Sequence, residues 1–209
     1  MSLHDSPVPV GASSRPSVDW RRGLPELSDG SVTLRGLRAR DAESLVAHLS
    51  DPRVVQYIAP SPTTVKGFAR FIRWTHAERR RGALRCYGIV PAGMESATGV
   101  VQVWPIERDF STAEWGFALG HAFWSTGIFM RAARLFLDAV LSDFGVYRLE
   151  ARSVDVNVRG NRVFERLGAT RDGVLRCGFR DGAVYRDQIM WSILAPEWQA
   201  LRREARRAN

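Results

Sequence analysis

Glu114-Trp-Gly-Phe-Ala-Leu-Gly-His-Ala-Phe-Trp-Ser-Thr-Gly-Ile-Phe-Met130 is the stretch on which the reading of this chain turns. Its first residues belong to an apolar run, Thr112–Leu119, that reads as a strand, and Gly120 ends it. A short loop follows, and Gly127–Phe144 then has helical periodicity through Ile128, Ala132, Leu135, Phe136, Ala139 and Val140, with Gly145 as its stop. Free backbone N–H groups of Ser125, Thr126, Gly127, Ile128, Phe129 and Met130 therefore point at whatever precedes the helix. An anion such as a pyrophosphate suits that place, because N–H donors and the helix dipole act together and Gly127 lets the backbone come close. The same residues also read as an ordinary strand–loop–helix joint.

A second stretch bears on that choice. Tyr147–Val154 reads as a strand, and Asp155-Val-Asn-Val-Arg-Gly-Asn-Arg-Val-Phe-Glu-Arg-Leu-Gly-Ala169 follows it, with a short helix over Arg159–Leu167 and a stop at Gly168. The helix between the strands at 112–119 and 147–154 makes them parallel, and adjacent neighbours are expected. Asn157 and Asn161 place amides at a strand end and a first turn, where they can bond a ligand or simply cap the helix.

Outward from this centre, Ser31–Arg38 alternates as a strand should, and Asp41 is placed to cap a helix running to about Leu49, with Leu45, Val46 and Leu49 inward. A longer helix starts at Thr63 or Thr64, turns Val65, Phe68, Ala69 and Ile72 inward together with Thr75 or His76, and ends in Arg79-Arg80-Arg81-Gly82. Strands at Leu84–Pro91, Gly99–Ile106 and Thr112–Leu119 have short connections, so they are antiparallel neighbours. Gly173–Phe179 and Ala183–Leu194 form a hairpin across Asp181-Gly182. The expectation is an α/β (α+β) fold: a mixed, mostly antiparallel twisted sheet of about seven strands with one parallel βαβ crossover. Its domain spans 31–195, between a Pro/Ser/Gly-rich arm at 1–30, docking near its end through Trp20 or Leu27, and a basic helical tail at 196–209.

Composition narrows the classes. The 209 residues suit one domain, and no apolar run approaches the roughly 20 residues that cross a bilayer. The N-terminus lacks a basic and an apolar signal region, so the cytoplasm is expected and no membrane partner. Cys86 and Cys177 are far apart, which supports neither a disulfide framework nor a metal site. The net charge of +8 comes from basic residues of which all but one of 30 are arginine, spread along the chain. Direct nucleic-acid binding is not expected on that ground, the tail arginines Arg202, Arg203, Arg206 and Arg207 reading as a solvated helix end.

Taken together, the two stretches and the order of elements resemble the GNAT superfamily, and within it the RimJ/RimL-like branch of ribosomal-protein N-terminal acetyltransferases, over about 31–195. Trp124-Ser-Thr-Gly-Ile-Phe129 stands where that family has its Q/R-x-x-G-x-G/A acetyl-CoA pyrophosphate loop. Asn157-Val-Arg-Gly-Asn-Arg-Val-Phe-Glu-Arg-Leu-Gly168 is similar to its later Asn-containing helix. The resemblance implies acetyl-CoA as cosubstrate without a metal, held by Trp124–Met130, by Phe117, Ala118 and Leu119, and by Asn157 and Asn161. It also implies an amine acceptor: a protein N-terminus, a ribosomal protein being one candidate, or a small amine. A monomer or a homodimer is expected. The chain departs from the pattern at Trp124 (Gln or Arg), at Phe129 (Gly or Ala, so close backbone approach is hindered), at Phe164 (a thiolate-protonating Tyr) and at Gly160 (often Ser in this branch).

The amine must be neutral to attack a thioester, so a base is needed. Glu114 is the first candidate and Glu150 the second; Asp187 is a weaker third, and His121 reads as a solvated loop histidine. A backbone N–H from Phe117 to Leu119 is placed to hold the oxyanion. Asn157 or solvent stabilises the departing sulfur. Tyr57, Phe68, Phe71, Trp74 and Trp104 read either as an acceptor groove or as core. A catalytically silent CoA-binding or scaffold protein is the reading from another class, favoured by Phe129 and the missing general acid.

Overall fold

The computed structural model describes residues 19–58 and 61–207. Order begins earlier than the pattern suggested. Trp20 is buried against Arg85, whose guanidinium lies 3.7 Å from the ring centre, and Arg79 donates to the carbonyls of Trp20 and Arg21 at 3.1 and 2.6 Å. A two-residue strand β1, Leu27–Ser28, then pairs antiparallel with β2, Val32–Gly36. Of the expected arm, 1–18 lies outside the described residues; within 19–30, Trp20 is buried and Leu24 and Leu27 pack against the core, which agrees with the expected docking near the arm's end.

Helix α1, Asp41–Leu49, starts in an unexpected way. Asp41 is not its cap but a fully buried residue of its first turn. Its carboxylate accepts from the Arg38 and Ala97 N–H groups at 2.6 and 3.0 Å and from both terminal nitrogens of Arg35 at 2.8 Å. This ties the helix to β2 and to the turn before the fourth strand. A short helix α2, Pro52–Val55, is capped by Asp51. In α3, Val65–Arg81, Thr64 caps the start and Gly82 ends it at a φ of +82°. Phe68, Ile72 and Thr75 face inward, and Val65, expected inward, is exposed because the first turn extends past the edge of the core.

The remaining elements are β3 (Arg85–Pro91), β4 (Gly99–Pro105), β5 (Thr112–Leu119), α4 (Ile128–Asp138) running into a π-helical turn at Ala139–Asp143, β6 (Arg148–Val154), α5 (Val158–Arg166), β7 (Thr170–Asp181), β8 (Val184–Leu194) and α6 (Ala195–Arg207). They form one eight-stranded sheet in the order β1-β2-β3-β4-β5-β6-β8-β7, antiparallel except for β5 beside β6. Helices cover both faces. On one, α1 and α3 bury Cys86, Val90, Val100 and Ala118; on the other, α4 and α5 bury Tyr87, Val101, Trp115, Leu149 and Trp191. The expected tail is part of this second layer. Trp198 of α6 is buried and donates to Asp138 at 2.8 Å, and Arg202 pairs with the same carboxylate at 2.8 Å. Among the described residues, no helix is long and apolar enough to cross a membrane.

One feature of the sheet positions the site. β5 and β6 are in register only over Thr112–Glu114 with Arg148–Glu150. Past Glu114, β5 stays on β4 as far as Leu119 and β6 stays on β8 as far as Val154. Each wall keeps its own antiparallel ladder while a wedge opens between them.

Candidate functional site

Which backbone groups line the wedge follows from the ladders. Gly120 N–H donates to Thr98 at 3.0 Å and Ile106 N–H to Thr112 at 2.9 Å, so the hydrogen-bonded pairs of β4 and β5 fall on even-numbered β5 residues. Phe117 and Leu119 therefore direct their N–H and C=O groups into the wedge. Ala118, expected to do the same, turns its backbone to Val100 instead, because alternate residues of a strand bond opposite neighbours. On β6, Asp155 N–H donates to Asp187 at 3.0 Å, so the pairs bonded to β8 are odd-numbered and Arg152 and Val154 face the wedge from the other wall.

The loop from β5 to α4 lies at the open end. Trp124 donates through Nε1 to Leu119 at 2.8 Å and through its N–H to His121 at 3.0 Å, so its backbone is already engaged. Ser125 and Gly127 have φ values of +63° and +83°, which bend the chain into the helix without a side-chain cap. Thr126 Oγ1 takes the Ile128 N–H only at 3.4 Å. Among the described residues, the N–H groups of Ser125, Thr126, Gly127, Phe129 and Met130 meet no acceptor. With the positive end of the α4 dipole, these donors fit a phosphate group. The Phe129 ring is folded onto Phe117, ring centres 4.0 Å apart, so it packs on the sheet and does not project over the donors. A signal that the sequence reading missed is Arg159. Its guanidinium sits 4.4 Å over the Trp124 ring and 3.5 Å from Ser125 Oγ, bringing positive charge to the loop from α5.

On the α5 wall the two asparagines differ. Asn157 caps the helix through Oδ1, which accepts from Gly160 N–H at 2.9 Å, and this leaves Nδ2 available. Asn161 is buried. Its Nδ2 donates to Val154 and Asp155 carbonyls at 3.0 and 3.2 Å, and its Oδ1 accepts from Trp191 Nε1 at 3.0 Å. The expected ligand contact of Asn161 is thus replaced by an internal one: its donors hold the end of β6 in place. Phe164 is buried among Trp115, Phe117 and Trp191 and offers no hydroxyl.

At the apex of the wedge, on the face covered by α1 and α3, Glu114 and Glu150 stand side by side in register. Glu114 is mostly buried, lies opposite Trp104 on β4, and has Arg152 at 3.6 Å. Burial raises its pKa above the usual carboxylate range, Arg152 draws it back, and the neighbouring Glu150 raises it again. A carboxylate so raised is a better proton acceptor than an ordinary one. Glu150 is instead clamped by Arg148 at 2.7 Å, and the same arginine is held by Asp172 at 2.5 Å. Asp187 accepts the Cys177 N–H at 2.8 Å within an irregular stretch of the β7–β8 pair, a structural use. His121 contacts Arg53 at 3.1 Å and the Trp124 ring, away from the apex. Of the expected groove aromatics, Phe68 is core; Phe71 and Trp74 line an open cleft with Pro62, Thr64 and Arg70.

The arrangement has clear relatives. Residues 31–170 match the acetyltransferase (GNAT) domain family. "Probable N-acetyltransferase YjcK" of Bacillus subtilis is 30% identical over 177 residues, covering 82% of this chain and 98% of that protein. Among solved structures, Mycobacterium smegmatis RimJ in complex with CoA-disulfide superposes with a TM-score of 0.76 at 21% identity, over 88% of this chain and 91% of that one. Ribosomal-protein-S5-alanine acetyltransferase from Vibrio fischeri does so with a TM-score of 0.74 at 15% identity, over 84% and 99%. The chain belongs to the GNAT family of acetyltransferases and is an N-acetyltransferase.

Proposed function

We propose that this protein moves an acetyl group from acetyl-CoA to the α-amine of a protein N-terminus. The observation that carries the reading is the divergence of β5 from β6 immediately past Glu114: a partly buried carboxylate stands where the two walls of the wedge meet. The unpaired N–H groups of Ser125–Gly127, Phe129 and Met130 hold the pyrophosphate, and Arg159 adds charge beside them. Phe117 and Leu119 present the strand edge to the pantetheine arm, and one of their N–H groups holds the oxyanion. The acetyl group bound there supplies an activated carbonyl. Asn157 Nδ2, left free by the helix cap, would serve as a donor to the sulfur end of the arm.

Glu114 takes the proton from the attacking amine, directly or through one water. An α-amine, with a pKa near ~8, needs only such modest help, whereas a lysine near ~10.4 needs more. The names of the two structural neighbours, a RimJ and a ribosomal-protein acetyltransferase, agree with a protein acceptor. A ribosomal protein in the cytosol is the acceptor we favour.

The test is calorimetric binding of acetyl-CoA to the wild type and to Gly127→Glu, followed by turnover on N-terminal peptides. Binding that the variant loses, with α-amine peptides acetylated faster than lysine side chains or polyamines, is the expected result. Faster turnover of small amines would replace the acceptor. A folded wild type that binds no acetyl-CoA would make the protein a silent scaffold.

A further inference from the structure

Ser153 lies on β6 three residues past the last pair with β5, on the strand face that Leu149 and Ala151 turn toward the core beneath α5. It is 6% exposed, and among the described residues its hydroxyl meets no hydrogen-bond partner. A buried hydroxyl left unpaired is unfavourable, so its retention calls for a partner that the folded chain alone does not supply. Its surroundings indicate which kind. A Cβ built on Gly160 would stand 2.5 Å from Asn157 Nδ2 and 3.1 Å from Ser153 Oγ. A side chain at 160 would displace the Asn157 amide and crowd the Ser153 hydroxyl, so Gly160 leaves both where they stand. Because Asn157 Oδ1 is fixed by Gly160 N–H, its Nδ2 is left as a donor. Two donors thus converge beside the first turn of α5, where the helix dipole is positive. They form a pair of donors beneath the first turn of α5.

We propose that Ser153 Oγ, together with Asn157 Nδ2, donates a hydrogen bond to the sulfur that departs as the amide forms, which makes Ser153 a catalytic residue; this rests on the acetyl-CoA site proposed above. The amine nitrogen bonds the carbonyl carbon, the carbon–sulfur bond breaks, and its electron pair goes to sulfur. The amine's proton passes to Glu114 and then to solvent, and sulfur is protonated from solvent as CoA leaves. Ser153 keeps its own proton throughout. A thiol of pKa near ~8.5 is a far stronger acid than an aliphatic hydroxyl, so serine acts by hydrogen bonding and not by proton transfer.

The experiment titrates the thiol of CoA bound to the full-length protein, followed by the ultraviolet absorbance of the thiolate, in wild type, Ser153→Ala and Ser153→Thr. Steady-state kinetics and thermal melting accompany it. Ser153→Ala is expected to raise the bound thiol's pKa by about one unit and to lower kcat about tenfold, with KM for acetyl-CoA within about twofold. Its melting temperature stays the same or rises, since an unpartnered hydroxyl is removed, and Ser153→Thr, which keeps the hydroxyl, recovers the thiol pKa. An Ala variant with unchanged thiol pKa overturns the assignment, and so does one that mainly melts lower, because the hydroxyl then has a structural partner. If the wild type binds no CoA, the acetyl-CoA site itself is wrong, and calorimetry identifies that failure separately.

Discussion

Glu114, the base we propose, stands where burial disfavours its charged form. Its carboxyl is raised above the usual range chiefly by burial, with Arg152 acting against that and Glu150 adding to it. In the folded state it therefore holds its proton to a higher pH than in the unfolded chain. Between those two pKa values the native state binds more protons, so stability falls as pH rises through the folded value. Replacing the carboxylate by an amide removes that penalty. Glu114→Gln is expected to melt higher than wild type at neutral pH and to lose roughly 10²-fold or more in kcat. A pH series of melting temperatures beside initial rates checks both. The acid limb of the wild-type rate profile should lie above pH 4.5, the carboxyl's ordinary value. A Gln variant of unchanged rate would move the base to Glu150.

Helix α5 illustrates, at the scale of an element, how similar residues acquire different tasks. Asn157 and Asn161 are one helical turn apart, yet one caps the helix at its exposed start and the other is enclosed by β6 and Trp191. The wedge depends on the second, since its amide holds the Val154 and Asp155 carbonyls where β6 ends. Asn161→Ala leaves those carbonyls and the Trp191 indole without their partner. A loss of about 2–4 kcal/mol is expected, measured by urea unfolding, together with weaker CoA binding as the wall loosens. Affinity and stability both unchanged would mean that β6 is held by its ladder with β8 alone.

For the whole molecule, the decisive tie is between Asp41 and Arg35, which joins α1 and β2 and reaches the turn at Ala97. Burial by itself raises the Asp41 pKa; the Arg35 hydrogen bonds and those from the Arg38 and Ala97 N–H groups outweigh it and hold the carboxyl below 3.8. A depressed carboxyl contributes stability that is present above its unfolded pKa and is lost as pH falls through its folded one. Asp41→Asn, which leaves the Arg35 charge buried without a counter-charge, is expected to lower stability by about 3–5 kcal/mol at neutral pH. The difference from wild type should shrink below pH 3.8, where wild type loses the same charge. Thermal melts of both proteins across the acid range decide this, and parallel curves would mean that another carboxylate governs acid unfolding.

The chain's sequence by itself determined the order of strands and helices apart from the short β1 and α2, the single parallel pair and the loop before α4, because these rest on local periodicity, glycine punctuation and the rule that a helical crossover joins parallel strands. Val65 and the start of α1 escaped it, since helical periodicity gives a face without saying where the core ends or which carboxylate is buried. The packing of α6 escaped it as well: a charged segment with one large aromatic looks the same whether or not the core receives it. Within the proposed site, the place of Glu114 on β5 and of Gly127 at the start of α4 were legible. The engagement of Asn161 with Trp191, the turning of Ala118 toward β4, the unpaired hydroxyl of Ser153 and the reach of Arg159 to Trp124 were not. Those depend on which ladder each strand keeps after β5 and β6 part, and that is fixed only when distant segments pack, because a hydrogen-bond partner is a neighbour in space and not in sequence.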